Sequence, residues 1–363
     1  MNISSYNVTD VGYHYIGLRV LAASPNAPRE EQDAAVAKNV AKYASDKALR
    51  LMLPEPRSSF SSVGDKVLQE LAHLQLAKLA RGKGYVLTAL GIQAVEALNG
   101  RKYDTLRRLM TKAHLEAYNN LRQVVFHHVH AGPVFSPFVE AARTAEPAYL
   151  IGLLRPTFGE NSPEVLQSLT DELADESPKK VEDSLRSAIF SHLFPDAKLS
   201  VPLFRAMTDR LVSLRLLNVT RDRKEGCEWA KSYTPCVAGE PLKPWHKALE
   251  IQPDHDGVAQ LIYLSEPLMT DTAMQRQLLR AMDEGYASLP AAAGYYDLPE
   301  LRDFVCEKLQ IPEAAFDDGV NALLDQQPPP LTVGLQYERI SGRRKPLVRS
   351  RETTQIYNLI RRA

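Results

Sequence analysis

The sequence predicts a mainly α-helical protein with small β-hairpins, in which two or three similar units are joined by helical connectors. Apolar residues recur at helical spacing over most of the chain. At three places such a helix ends in a Leu-rich step, and a short basic stretch of hairpin character follows it. These places lie within residues 67–88, 204–226 and 316–345. Their recurrence indicates a local architecture that the chain uses more than once.

The composition is that of a globular protein in a reducing compartment. The 363 residues suffice for two or three domains. The 44 basic and 44 acidic side chains cancel, which argues against a protein that coats nucleic acid by charge alone. The three Cys residues are too scattered for a disulfide framework, and no signal peptide or long apolar stretch is visible. We therefore expect a cytoplasmic protein without a membrane partner.

The first unit is expected to span residues 1–100. Apolar spacing predicts helices over 13–22 and 30–53. Ser62 is a suitable N-cap for a further helix that reaches about Leu74. Residues 78–88 then alternate as a hairpin that closes at the glycines on either side of Lys83. The Pro-interrupted residues 101–165 are expected to form a helical connector.

The second unit is expected to span residues 166–246, and an acidic connector follows at 247–270. An amphipathic pattern predicts a helix over 181–194. Pro202 suits the first turn of the next helix, which should end near Leu214. Residues 218–235 are the candidate hairpin of this unit.

The third unit is expected to span residues 271–363 and to carry a basic C-terminus. Helices are predicted over 273–286, 299–309 and 312–324. A hairpin over 331–348 and a closing helix over 353–362 should complete it.

The run Leu87-Thr88-x-x-Gly91, which follows a helix and a basic hairpin, resembles the way in which winged helix-turn-helix units leave the hairpin that is called the wing. The resemblance is local and covers about thirty residues. It implies tandem winged-helix-like units, each with a recognition helix and a wing that contact double-stranded DNA.

The candidate DNA-contacting residues are basic or amide side chains on the expected recognition helices and wings. In the first unit they are Lys66, Gln69, His73, Arg81 and Lys83; in the second, Arg205, Arg210, Arg221, Arg223 and Lys224; in the third, Arg339, Arg343, Arg344, Lys345, Arg349 and Arg351. The combination of Arg on the helix and on the wing makes the second unit the most favourable of the three.

The third unit also offers an acidic helix, since Glu313, Asp317 and Asp318 lie within residues 312–324. Carboxylates repel phosphates, so this helix is expected to dock a protein or another part of the chain while the basic wing faces DNA. It keeps open an alternative in which the protein is a winged-helix interaction scaffold of a multi-subunit complex.

No nucleotide-binding, metalloprotease or hydrolase motif occurs in the sequence. His127, His128 and His130 have no carboxylate or Cys at ligand spacing, so packed or surface His is preferred to a zinc site. We expect a non-catalytic DNA-binding protein without metal or cofactor. Such a protein could serve as a regulator or as an accessory subunit of a bacterial DNA-processing or phage-defence system.

Overall fold

The computed structural model describes residues 8, 10–50, 60, 62–80, 83–131, 134–135, 155, 158–172, 201–221, 231–252, 258–292, 294–334, 347–349, 355–357 and 359–362. This part of the chain is mainly helical and carries small antiparallel sheets, as the sequence predicts. It divides into two compact units, each assembled from separate segments. Unit 1 contains residues 1–11, 103–242 and 248–264, and unit 2 contains residues 12–102, 243–247 and 265–363.

The N-terminal part of unit 2 has the predicted order of helices followed by a hairpin. Its elements are α1 (Val11–Ala23), α2 (Arg29–Arg50), α3 (Val63–His73), β1 (Ala77–Leu79), β2 (Tyr85–Leu87) and α4 (Ala89–Asn99). Ser62 occupies the N-cap position of α3, although its side chain makes no capping hydrogen bond. Strands β1 and β2 pair antiparallel, with Ala77 opposite Leu87. The apolar side of α3 is fully buried through Val67, Leu68 and Leu71.

Unit 1 is also helical, with two small sheets. Its elements are α5 (Tyr103–Ala117), α6 (Asn119–Ala131), β3 (Val134–Phe135), α7 (Ser162–Glu172), α8 (Val201–Ser213), β4 (Leu217–Arg221), β5 (Lys231–Pro235), β6 (Val237–Ala238), β7 (His246–Ile251) and β8 (Gln260–Ser265). The sheet orders are β3-β5-β4 and β6-β8-β7. The hairpin predicted over residues 218–235 is confirmed by the antiparallel pairing of β4 with β5. The helix predicted over 181–194 lies outside the described residues.

Within the described residues, the C-terminal part of unit 2 contains three helices and six strands. Its elements are α9 (Thr272–Ser288), β9 (Ala291–Ala292), β10 (Tyr295–Asp297), α10 (Leu298–Leu309), α11 (Glu313–Leu324), β11 (Leu331–Gly334), β12 (Leu347–Arg349), β13 (Gln355–Tyr357) and β14 (Leu359–Arg362). The three predicted helices are present. Strands β9, β10, β11 and β14 form one sheet in the order β11-β14-β10-β9. The hairpin predicted over residues 331–348 is wrong, because β11 pairs with β14 whereas β12 pairs with β13.

The closing helix predicted over residues 353–362 is wrong, because this stretch contains β13 and β14. Strand β14 pairs with β11 on one side and β10 on the other, so its backbone groups are satisfied by the sheet. Ile360 is fully buried in the core that α9, α10 and α11 line. These tertiary pairings outweigh a short apolar pattern that fits either kind of element.

Candidate nucleic-acid interface

Twice among the described residues, a helix is followed by one tight turn and then by a β-hairpin. We call these stretches module 1 (residues 63–88, containing α3, β1 and β2) and module 2 (residues 201–236, containing α8, β4 and β5). In module 1, the amide of Leu76 donates to the carbonyl of Leu71 (2.9 Å) and the amide of Gln75 to that of Ala72 (3.1 Å). This is the Schellman arrangement, in which the residue after the helix takes a left-handed conformation.

Module 2 repeats this turn bond for bond. The amide of Leu216 donates to the carbonyl of Leu211 and the amide of Arg215 to that of Val212, both at 2.9 Å. The left-handed residues, Gln75 and Arg215, have φ angles of 58° and 59°. The two Leu-rich steps therefore mark the same backbone geometry.

The leucines of both steps lie in the core, as their spacing predicts. The side chains that are at most 2% exposed include Leu71, Leu74, Leu76, Leu211, Leu214 and Leu216. These leucines fix one side of each helix in the core. Any contact with a ligand must therefore come from the opposite side of the helix.

Thr88 and Gly91 connect the end of the hairpin of module 1 to the turn that precedes the hairpin. The Thr88 hydroxyl accepts from the amide of Gly91 (3.1 Å) and caps α4, and it donates to the carbonyl of Gln75 (2.6 Å). The amide of Thr88 donates to the carbonyl of Leu76 (3.1 Å). A Cβ on residue 91 would lie 1.9 Å from that same carbonyl oxygen, so only glycine fits. The Leu-Thr-x-x-Gly pattern thus has a direct structural reason.

The outward side of α3 carries the three predicted helix contacts of the first unit. Lys66 is half-buried, whereas Gln69 and His73 are exposed. Their neighbour Asp65 accepts hydrogen bonds from Gln69 Nε2 on one carboxylate oxygen (2.6 Å) and from Arg29 Nε on the other (3.0 Å). The negative charge of Asp65 is therefore balanced by Arg29, and this pairing raises the pKa of the Arg29 guanidinium.

The hairpin of module 1 is attached to α2 through one buried amide side chain. Gln32 Oε1 accepts from the backbone amide of Tyr85 (2.7 Å), and Gln32 Nε2 donates to the Tyr85 carbonyl (2.9 Å). A Cβ on Gly84 would lie 2.6 Å from the backbone carbonyl oxygen of Ala27 as well as 2.3 Å from Gln32 Oε1, so this close approach also requires glycine. The Gln32 amide thus satisfies the backbone N–H and C=O of Tyr85, as a residue of a neighbouring strand would, and it attaches β2 to α2.

Lysines lie on the solvent side of this hairpin. Lys78 and Lys83 are exposed, and Lys83 lies in the loop between β1 and β2. The guanidinium of Arg29 lies 5.9 Å from the centre of the Tyr85 ring. Burial, which Asp65 reinforces and Arg29 opposes, raises the pKa of Tyr85 above its ordinary value. The remaining predicted residue, Arg81, lies outside the described residues.

The structure places Arg210, a predicted DNA contact of the second unit, in the interior. Its side chain is 1% exposed, its guanidinium lies 5.7 Å from the centre of the Tyr118 ring, and it donates to the Val8 carbonyl. A phosphate could reach it only if this packing opened. The prediction that Arg210 contacts DNA is therefore wrong for the folded protein, because its guanidinium packs in the interior.

The side of α8 that corresponds to the outward side of α3 is chemically different. Ala206, at the position of Lys66, is buried, and Asp209, at the position of Gln69, is exposed. Ser213, at the position of His73, accepts from the amide of Val11 (2.9 Å) and donates to Asp10 (3.1 Å). Arg205 and Arg221 have described backbone only, and Arg223 and Lys224 lie outside the described residues.

The basic residues predicted for the third wing fall almost entirely outside the described residues. This applies to Arg339, Arg343, Arg344, Lys345 and Arg351, whereas Arg349 has a described backbone in β12.

The acidic helix of the third unit is partly engaged within the fold. Asp317 accepts a hydrogen bond from Arg302 Nε at 2.8 Å, and the Arg302 side chain is 3% exposed. Asp317 therefore anchors α11 to α10, whereas Asp318 is exposed. Burial raises the pKa of the Asp317 carboxyl to about 6, although the positive charge of Arg302 acts in the opposite direction and lowers this pKa.

Sequence reasoning missed Arg29, Gln32 and Asp65, which organise the surface of module 1. The spacing of Asp65 and Gln69, four residues apart on one helix, is a signal that could have found their contact. The partners on α2 could not be found in this way, because more than thirty residues separate them from α3.

Within the described ranges, no group of three or more His, Cys, Asp or Glu side chains could hold a metal ion. Over the same residues, no helix combines the length and apolarity that crossing a membrane requires. No family model, curated protein or solved structure matches this chain.

Proposed function

We propose that the protein binds double-stranded DNA through the outward side of α3 and the β1–β2 hairpin, as a winged-helix unit does. The observation that carries the proposal is the contrast between the two sides of α3. One side is held in the core by leucines, and the other presents Lys66, Gln69 and His73, while the hairpin that follows carries the exposed Lys78 and Lys83. Lys side chains suit phosphates, and Gln and His can contact base edges.

The charge around α3 supports this assignment. Asp65, an acidic residue on this surface, is paired with Arg29 and so adds little repulsion towards a phosphate backbone. Lys66, Lys78 and Lys83 add positive charge on the helix and the hairpin. A local basic surface of this kind is compatible with the zero net charge of the whole chain.

The C-terminal part of unit 2 supports a tandem arrangement. Helices α10 and α11 are joined by residues 310–312, a connection length typical of helix-turn-helix motifs. Strand β11 follows α11, as β1 follows α3, although its partner is β14 of a four-stranded sheet and not the next strand of a hairpin. Several weak DNA-binding modules in one chain would raise the overall affinity through effective concentration.

A salt titration tests the proposal. Affinity of the purified protein for a labelled random-sequence duplex is measured by fluorescence anisotropy over a range of salt concentrations. Four to eight phosphate contacts would give a slope of log affinity against log salt on the order of −4 to −7. A flat dependence, or no binding at the lowest salt, would contradict it.

A second candidate function is that of a protein-interaction scaffold, and the acidic α11 favours it. Glu313 and Asp318 lie on the helix that corresponds in position to a recognition helix. Such a helix would favour a basic protein partner over DNA. Under this alternative, the substitutions Glu313→Lys and Asp318→Lys would release a copurifying protein without any change in DNA affinity.

A further inference from the structure

The contacts of Gln69 go beyond general DNA binding and concern base recognition. Gln69 Nε2 donates to Asp65 Oδ2 at 2.6 Å, and Asp65 Oδ1 accepts from Arg29 Nε at 3.0 Å. Arg29 in turn lies over the ring of Tyr85 on the hairpin. The amide of Gln69 is thus linked to α2 and to β2 as well as to its own helix.

Asp65 determines which way round the Gln69 amide lies. A carboxylate only accepts hydrogen bonds, so it must face the NH2 group of the amide and not its oxygen. One N–H of Gln69 is used in this contact. A second N–H and the Oε1 atom remain on the same amide group, and Gln69 is exposed on α3.

A donor beside an acceptor is the pattern that complements the major-groove edge of adenine. Adenine offers the N6 amino group as a donor and N7 as an acceptor, and Gln binds both at once. We infer that Gln69 is a specificity-determining residue that reads an adenine, and that Asp65 and Arg29 are its positioning residues. This inference rests on the proposed function of module 1.

The arrangement also lowers the cost of recognition. A free Gln side chain loses rotamer entropy when it binds a base, whereas here one hydrogen bond restricts it before DNA arrives. Arg29 balances the charge of Asp65, so this positioning carboxylate can lie near a phosphate backbone.

Module 2 cannot make the same contact. The residues at the positions of Asp65 and Gln69 are Arg205 and Asp209. A carboxylate at residue 209 has no N–H to donate to adenine N7. Of the two modules, module 1 is therefore the one to which adenine recognition of this kind is assigned.

The test selects bound duplexes from a randomised DNA pool with the full-length protein and sequences them. Wild type, Gln69→Ala, Asp65→Ala and Gln93→Ala are compared. Gln93 is an exposed Gln on α4 and is the matched control. We expect wild type and Gln93→Ala to enrich one motif with a required adenine, and Gln69→Ala to lose discrimination at that base pair by about ten-fold.

Asp65→Ala separates positioning from a structural role. It should weaken the preference for the same adenine while the melting temperature and the other positions of the motif stay as in wild type. If Gln69→Ala and wild type select the same motif, the inference about Gln69 is overturned and DNA binding stands. If wild type retains no duplex from the pool at low salt, the proposed function fails as well.

Discussion

Modules 1 and 2 share a backbone frame, by which we mean the helix, the Schellman turn and the hairpin that follows it. They differ in almost every polar contact around this frame. The carbonyl of the left-handed residue receives the Thr88 hydroxyl in module 1 and the Arg107 guanidinium (3.0 Å) in module 2. At the equivalent buried position, α3 carries Glu70, which is paired with His14 at 3.0 Å, whereas α8 carries Arg210. The shared frame therefore fixes how a hairpin leaves a helix, and the side chains decide what the helix does.

The outward sides of the two helices show the consequence. In α3 this side carries half-buried Lys66 and exposed Gln69 and His73. In α8 the corresponding residues are buried Ala206, exposed Asp209 and the hydrogen-bonded Ser213. A repeated motif in a sequence thus does not imply a repeated binding site. The predictions that follow test this contrast, from the largest expected effect to the smallest.

The shared frame predicts equal sensitivity of the two cores. Leu74→Ala and Leu214→Ala remove side chains that are 1% and 2% exposed. Each should lower the free energy of unfolding by about 2–5 kcal/mol, as measured by urea denaturation. Leu79→Ala is the control, because Leu79 is 56% exposed and its removal should change stability little. If only one of the buried leucines matters, the frames are not equivalent.

The contrast in function predicts that Arg210 supports folding only. Arg210→Ala leaves a cavity and deprives the Val8 carbonyl of a charged donor, so it should cost about 2–4 kcal/mol of stability. The salt dependence of DNA affinity should stay as in wild type at a temperature where the variant is folded. A stable variant with weakened DNA binding would show that Arg210 reaches the nucleic acid.

The hydrogen bonds of Thr88 in module 1 and of Arg107 in module 2 should make similar, moderate contributions to stability. Thr88→Val removes the cap of α4 and the donor to Gln75, and Arg107→Met removes the donors to Leu214 and Arg215. Each should cost about 1–3 kcal/mol in thermal or chemical unfolding. A negligible effect of either variant would mean that water replaces that donor without loss.

The smallest expected effect is a pH dependence that originates at Asp317. Burial raises the pKa of Asp317 from its ordinary 3.8 to about 6, so the folded chain holds this proton more tightly than the unfolded chain. Its contribution to the free energy of unfolding therefore falls as the pH rises from about 4 to about 6 and is constant above that range.

Asp317→Asn should remove this contribution. Because the side chain is 29% exposed, we expect a change of only about 1–2 kcal/mol between pH 4.5 and 7 relative to wild type. Asp318→Asn, at an exposed position on the same helix, is the control. Equal pH profiles of wild type and Asp317→Asn would contradict the assignment.

The sequence predicted local elements better than it predicted surfaces. Leu71, Leu74 and Leu76 have helical spacing that reveals both the helix and its buried side. Arg210 has the same charge whether it faces water or Tyr118, so its burial could not be read from the sequence. The contact of Arg29 with Asp65 joins separate helices and depends on how α2 packs on α3.

The most direct test compares basic surface residues of the two modules, half-buried Lys66 and exposed Lys83 and Arg215, in a salt titration of DNA binding. Lys66→Gln and Lys83→Gln remove charges from module 1, and Arg215→Gln removes an exposed charge from module 2. The last variant carries the residue that module 1 has at the same backbone conformation, since Gln75 and Arg215 have nearly equal φ angles. Fold and frame should therefore be preserved in all three proteins.

The account predicts that each module 1 substitution reduces the magnitude of the salt slope by about 1, while Arg215→Gln leaves both slope and affinity unchanged. The opposite pattern, with a reduced slope for Arg215→Gln and unchanged slopes for Lys66→Gln and Lys83→Gln, would place the DNA surface on module 2 and contradict the account.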